Sequence, residues 1–107
     1  MAEPQALAIP KVAAALVEAA KPKRIILFGS HARGDAAEDS DIDIMVVEEQ
    51  VPNRLQEMVR LNRVVRRLGV SADLLVVSEE QFNYWRDTPG NVYFEAASEG
   101  RVLYEAA

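Results

Sequence analysis

The sequence predicts an α/β (α+β) fold in which a mixed β-sheet of three to four strands is covered by helices. Three observations carry this reading. Arg24–Phe28, Asp41–Val47 and Ser71–Val77 are short runs rich in aliphatic and β-branched residues, bounded by Gly, Ser and Asp. Between the second and third runs lies a helical pattern of apolar residues, Leu55, Met58, Val59, Leu61, Val65 and Leu68, which allows a right-handed crossover between parallel strands. Gly29-Ser30 ends the first strand and Asp41 opens the second. These two points meet at one end of the sheet only if the first two strands run antiparallel, so the sheet is mixed.

The remaining elements follow in order. Ile9, Val12, Ala13, Leu16, Val17 and Ala20 fall at helical spacing, Pro10 suits a first turn and Lys21-Pro22 ends the run, giving a helix that packs on the sheet. Ser30 to Arg33 can form only a short helix, because Gly34 and the polar turn from Asp35 to Ser40 close it. Pro52-Asn53 starts the long crossover helix and Gly69 stops it. Ser78-Glu79-Glu80-Gln81 has the pattern of a capping box and opens a helix that carries Phe82 and Trp85 and ends at Thr88-Pro89-Gly90. A further short helix is expected from Asn91 to Ser98. Gly100 breaks it, and Arg101–Tyr104 adds a final edge strand.

At 107 residues the chain makes one domain, 1–107, with a single core and no separate substrate-holding domain. The formal net charge of −5 argues against nucleic acid as a direct ligand, and the absence of cysteine excludes disulfide and thiolate chemistry. No signal peptide and no run long enough to span a bilayer is visible, so a cytoplasmic protein is expected.

The chemistry concentrates between Phe28 and Val47. Asp41 and Asp43 stand two apart at the start of a strand, so both carboxylates leave the same face. Asp73 enters the neighbouring parallel strand at the same end. Like charges so placed repel, and a hard divalent cation ligated by oxygen relieves the repulsion. The turn at Gly29-Ser30 can present amides to a phosphate, and Arg33, one helical turn on, can add a charge-assisted contact. His31 is expected to face solvent. Arg54, Arg60, Arg63, Arg66 and Arg67 read as a solvated helix face, with a partner surface as the alternative. Phe82, Tyr84, Trp85, Tyr93 and Phe94 are read as core, with an exposed interface as the alternative.

Gly29-Ser30-x-Ala32-Arg33-Gly34 followed by Ser40-Asp41-x-Asp43 resembles the signature of the DNA polymerase β-type nucleotidyltransferase superfamily, and most nearly that of its minimal nucleotidyltransferase (MNT) proteins. The ending Glu99–Glu105 also looks like the tail of that group. The resemblance implies a metal-dependent enzyme moving NMP, AMP from ATP in the leading reading, onto an acceptor hydroxyl. It implies two Mg²⁺ ions, replaceable by Mn²⁺, on Asp41, Asp43 and Asp73, with Asp73 on the nucleophile side. Gly29 and Ser30 would cradle the β- and γ-phosphates, assisted by Arg33. It further implies an antitoxin that acts beside a HEPN-domain toxin and adenylylates a tyrosine of it. A small-molecule acceptor and an antitoxin acting by contact alone are the alternatives. The base preference, the acceptor and a homo- or hetero-oligomeric state stay open in the sequence.

Overall fold

The structure is a computed structural model that describes residues 5–107. A single 3₁₀ turn, Gln5–Ala8, leads into helix α1 (Ile9–Ala20), which takes Pro10 in its first turn. Lys21 ends α1 in a left-handed conformation and returns its N–H to Val17 O at 2.9 Å. Strands β1 (Arg24–Phe28), β2 (Ile42–Glu48), β3 (Ala72–Ser78) and β4 (Arg101–Glu105) form one sheet in the order β3-β2-β1-β4. β2 pairs antiparallel with β1 and parallel with β3, while β4 joins β1 antiparallel. The mixed sheet, the parallel crossover and the edge position of the last strand all match the sequence expectation.

The alternation of β2 explains its two buried faces. Ile42, Ile44 and Val46 point toward α1 and the crossover helix α3 (Arg54–Arg66), where they meet Val12, Leu16, Leu61 and Val65. Met45 and Val47 point the other way and meet Phe82 and Ala96, carried by α4 (Glu79–Trp85) and α5 (Val92–Glu99). Asp43, two residues before Met45, therefore leaves the sheet on the α4/α5 side. Side-chain caps fix the starts of three helices. Asn53 accepts from Gln56 N–H at 3.0 Å, Ser78 from Gln81 N–H at 3.1 Å and Asn91 from Phe94 N–H at 2.9 Å.

Two readings of α3 change. Met58, Leu61 and Val65 face the sheet, but Leu55 is 73% exposed and Val59 45% exposed. Leu55 and Val59 lie one row round the helix from the stripe that the sheet covers. The basic stripe is also divided. Arg54 donates to Val76 O at 3.1 Å, to Gln81 Oε1 at 3.2 Å and to the Tyr93 hydroxyl at 3.4 Å, tying α3 to β3, α4 and α5. Arg60 holds both Glu57 oxygens at 2.8 Å and Ala19 O at 2.9 Å. Arg63, Arg66 and Arg67 are exposed, as a solvated face requires. The aromatics divide likewise, with Phe82 buried and Tyr84 and Trp85 exposed as an edge-to-face pair 4.8 Å apart. Among the described residues no helix is long and apolar enough to cross a membrane.

Candidate active site

Strand register assembles the site. Phe28 of β1 stands opposite Asp43 of β2, and Asp43 stands opposite Asp73 of β3, so the two carboxylate positions are neighbours across a parallel pair. Gly29 comes next in the chain, with φ 71° and ψ −154°. A Cβ on Gly29 would collide with the Asp43 carboxylate oxygen and approach Asp43 Cγ at 3.1 Å. Only glycine lets the backbone lie directly against Asp43 in this conformation.

From Gly29 the chain enters α2 (Ser30–Arg33). Ala32 and Arg33 both return their N–H groups to Gly29 O at 3.1 Å, and Gly34 closes the turn on Ser30 O at 3.0 Å. Gly29 has no side chain to cap the helix start, where Ser30 sits half-buried. Arg33 is exposed and pairs with Asp35 at 3.4 Å. His31 does not face solvent freely. It is half-buried, and its Nε2–H donates to Ser40 O at 2.8 Å, bracing the Asp35–Ser40 turn just before Asp41. The turn is also closed within itself, since Ala37 N–H donates to Ser40 Oγ at 2.9 Å.

Asp41 lies one residue before β2 and is exposed, and its Oδ1 accepts a 2.5 Å hydrogen bond from the Ser71 hydroxyl. Asp43 is half-buried. Burial pushes its carboxyl above the usual value, and the charges of Asp73, Asp41 and Glu95 push it further, with His31 opposing them. Glu95, on α5, is a fourth carboxylate on this side of the sheet. Nothing in its local sequence marks it, because only the packing of α5 against the sheet brings it near Asp43. Asp73 is exposed opposite Asp43. Among the described residues no three His, Cys, Asp or Glu side chains stand close enough to enclose a metal ion. Asp41 takes Ser71 as its partner.

A sequence model of the nucleotidyltransferase domain matches residues 9–102. The chain belongs to the nucleotidyltransferase family. It is a nucleotidyltransferase enzyme, and the relatives it resembles are protein adenylyltransferases of the minimal type. It is 39% identical over 82 residues to MJ0604, a candidate protein adenylyltransferase of Methanocaldococcus jannaschii, covering 77% of this chain and 78% of that protein. It is 39% identical over 56 residues to the protein adenylyltransferase MntA of Thermococcus cleftensis, covering 52% of this chain and 57% of MntA. This match thus spans little more than half of MntA. In a solved complex of tri-AMPylated Shewanella oneidensis HEPN toxin with an MNT antitoxin, the similar chain gives a TM-score of 0.60 at 21% identity. That likeness covers 95% of this nucleotidyltransferase and 73% of the solved chain, and it concerns the fold.

Proposed function

We propose that this nucleotidyltransferase transfers AMP from ATP to a tyrosine hydroxyl of a HEPN toxin and thereby acts as its antitoxin. The observation that carries the reading is the glycine turn pressed onto Asp43, with Asp73 opposite. It sets a phosphate-binding backbone beside a pair of acidic positions. The names of the protein adenylyltransferase relatives and the AMPylated HEPN toxin of the solved complex support a protein acceptor and a HEPN partner, and the tyrosine rests on the resemblance alone.

The donor set fits Mg²⁺, or Mn²⁺ in its place, because Asp41, Asp43 and Asp73 offer hard oxygen donors and Asp43 is under repulsion that a cation relieves. Two such ions, when bound, supply positive charge to the reacting phosphate and to the acceptor oxygen. The chain's own groups do the rest. The Ser30 and His31 amides at the start of α2 and the Ser30 hydroxyl hold the β- and γ-phosphates, and Arg33 exchanges its exposed partner Asp35 for phosphate. Asp73, exposed at the mouth, receives the proton of the acceptor hydroxyl. The acceptor oxygen then bonds to the α-phosphorus, the bond to the β-phosphate bridge breaks, and pyrophosphate leaves with the electron pair.

The test is transfer of label from α-labelled ATP to a co-purified HEPN protein, run beside Mg·ATP binding. Asp73→Asn is expected to keep most nucleotide affinity and to lose transfer. Full transfer by Asp73→Asn would remove Asp73 from the mechanism. No transfer by the unmutated chain, with a verified partner, would leave an antitoxin acting by contact alone.

A further inference from the structure

Asp41 stands outside the strand ladder, and an exposed aspartate there has several staggered side-chain orientations open to it. Among the described residues a single side chain holds it. The Ser71 hydroxyl donates to Asp41 Oδ1 at 2.5 Å, from the residue just before β3. Ser71 is itself clamped. Its carbonyl accepts from Ile42 N–H at 3.1 Å and from Gln5 Nε2 at 3.1 Å, and its N–H donates to Gln5 Oε1 at 3.4 Å. Gln5 also donates its backbone N–H to Glu38 O at 3.3 Å, in the turn that leads to Asp41. One residue of the N-terminal 3₁₀ turn therefore fastens both the approach to Asp41 and the serine that orients it.

We propose that Ser71 is a positioning residue for metal binding, its hydroxyl fixing Asp41 through Oδ1 and leaving Oδ2 as the free ligand atom. Gln5 is the support that holds Ser71 in place. The inference rests on Asp41 being a metal ligand. A hydroxyl donor behind a carboxylate ligand pays the ordering cost of that ligand before the ion arrives, and removing such a partner typically costs about 10- to 100-fold in metal affinity.

The experiment is calorimetric titration of Mn²⁺ into the full chain saturated with AMP-PNP, with thermal melting alongside to verify folding. Ser71→Ala is expected to weaken Mn²⁺ binding about 10-fold or more. Ser71→Thr, which keeps the hydroxyl, should restore it, and Gln5→Ala should weaken it in the same direction by less. In an Asp41→Asn background, Ser71→Ala should add no further loss, because the group it positions is gone. Parent-like Mn²⁺ affinity in Ser71→Ala, no rescue by threonine, or an equal loss in the Asp41→Asn background would each overturn the proposal. If Asp41→Asn itself bound Mn²⁺ as the parent does, the metal reading of Asp41 would fail, and the inference with it.

Discussion

Gly29→Ala isolates what the glycine turn contributes. The substitution places a methyl group on a backbone at φ 71° and ψ −154°, a region that residues with a Cβ essentially do not occupy. Strain of this kind costs about 2 kcal/mol. For a chain of 107 residues that lowers the melting midpoint by roughly 9 °C. The new Cβ also collides with the Asp43 carboxylate, and with Asp43 Cγ only 3.1 Å away the side chain must swing aside. A displacement near 1 Å in a reacting site can cost about 100-fold in rate. Gly34→Ala is the control. Gly34 has φ 84°, but beyond its chain neighbours no atom of the described residues lies within 4 Å of an added Cβ, so it suffers strain without collision. Its expected loss is about 1 kcal/mol, or roughly 4 °C, with AMP transfer largely kept. The assays are differential scanning calorimetry and single-turnover transfer of labelled AMP. Equal transfer rates in the two variants would refute the argument that the turn must lie against Asp43.

Asp43→Asn is expected to raise the melting temperature of the metal-free protein at neutral pH while abolishing transfer. The folded-state pKa of Asp43 is raised, so its ionised form opposes folding once the pH exceeds the ordinary carboxylate value of 3.8. A lower melting temperature in the variant would contradict this. Ser30→Ala and Arg33→Ala are expected to weaken ATP affinity before they affect turnover, because phosphate contacts exist already in the ground state; titration of AMP-PNP with each variant decides it. At the far end of β2, burial pushes the Glu48 carboxyl from about 4.5 up to about 8, and its hydrogen bond with Glu57 adds to the shift. Stability from that held proton is full below the unfolded value and is lost as the pH rises to about 8. Glu48→Gln imitates the protonated form, so its melting temperature should exceed the parent's increasingly between pH 5.5 and 8.5. A constant difference across that range would remove Glu48 as the cause.

The parts of the site that were legible in the sequence are those set by local chain geometry. Gly29, Ser30 and Arg33 follow one another through a turn and a helical turn, and Asp43 takes its face from strand alternation. Asp73 needed one further rule, the right-handed crossover, and the register of β2 with β3 places it opposite Asp43. The polar braces have no such rule. His31 with Ser40, Asp41 with Ser71 and Gln5 with Ser71 are separated by 9, 30 and 66 residues, and no periodicity links them. Arg54 misled for the same reason, since on a helix its charge reads as solvated until the positions of β3, α4 and α5 are known.

The two groups differ in what they contribute. The legible residues are those proposed to carry the chemistry, but an exposed aspartate before a strand and a four-residue helix are each weakly held by local structure alone. Geometry at the candidate site therefore depends on long-range bonds from residues outside the proposed catalytic set. His31 pins the turn to α2, Ser71 pins Asp41 to the start of β3, and Gln5 joins that serine to the same turn. Each of these bonds is partly or wholly exposed, where a hydrogen bond contributes only about 1 kcal/mol to stability. Losing one should leave the fold standing while loosening the carboxylates. Ser71→Ala should accordingly show a small change in melting temperature beside a large change in metal affinity, with Gln5 and His31 variants following in the same direction by less, the reverse of what the core residues Leu16 or Leu61 would show.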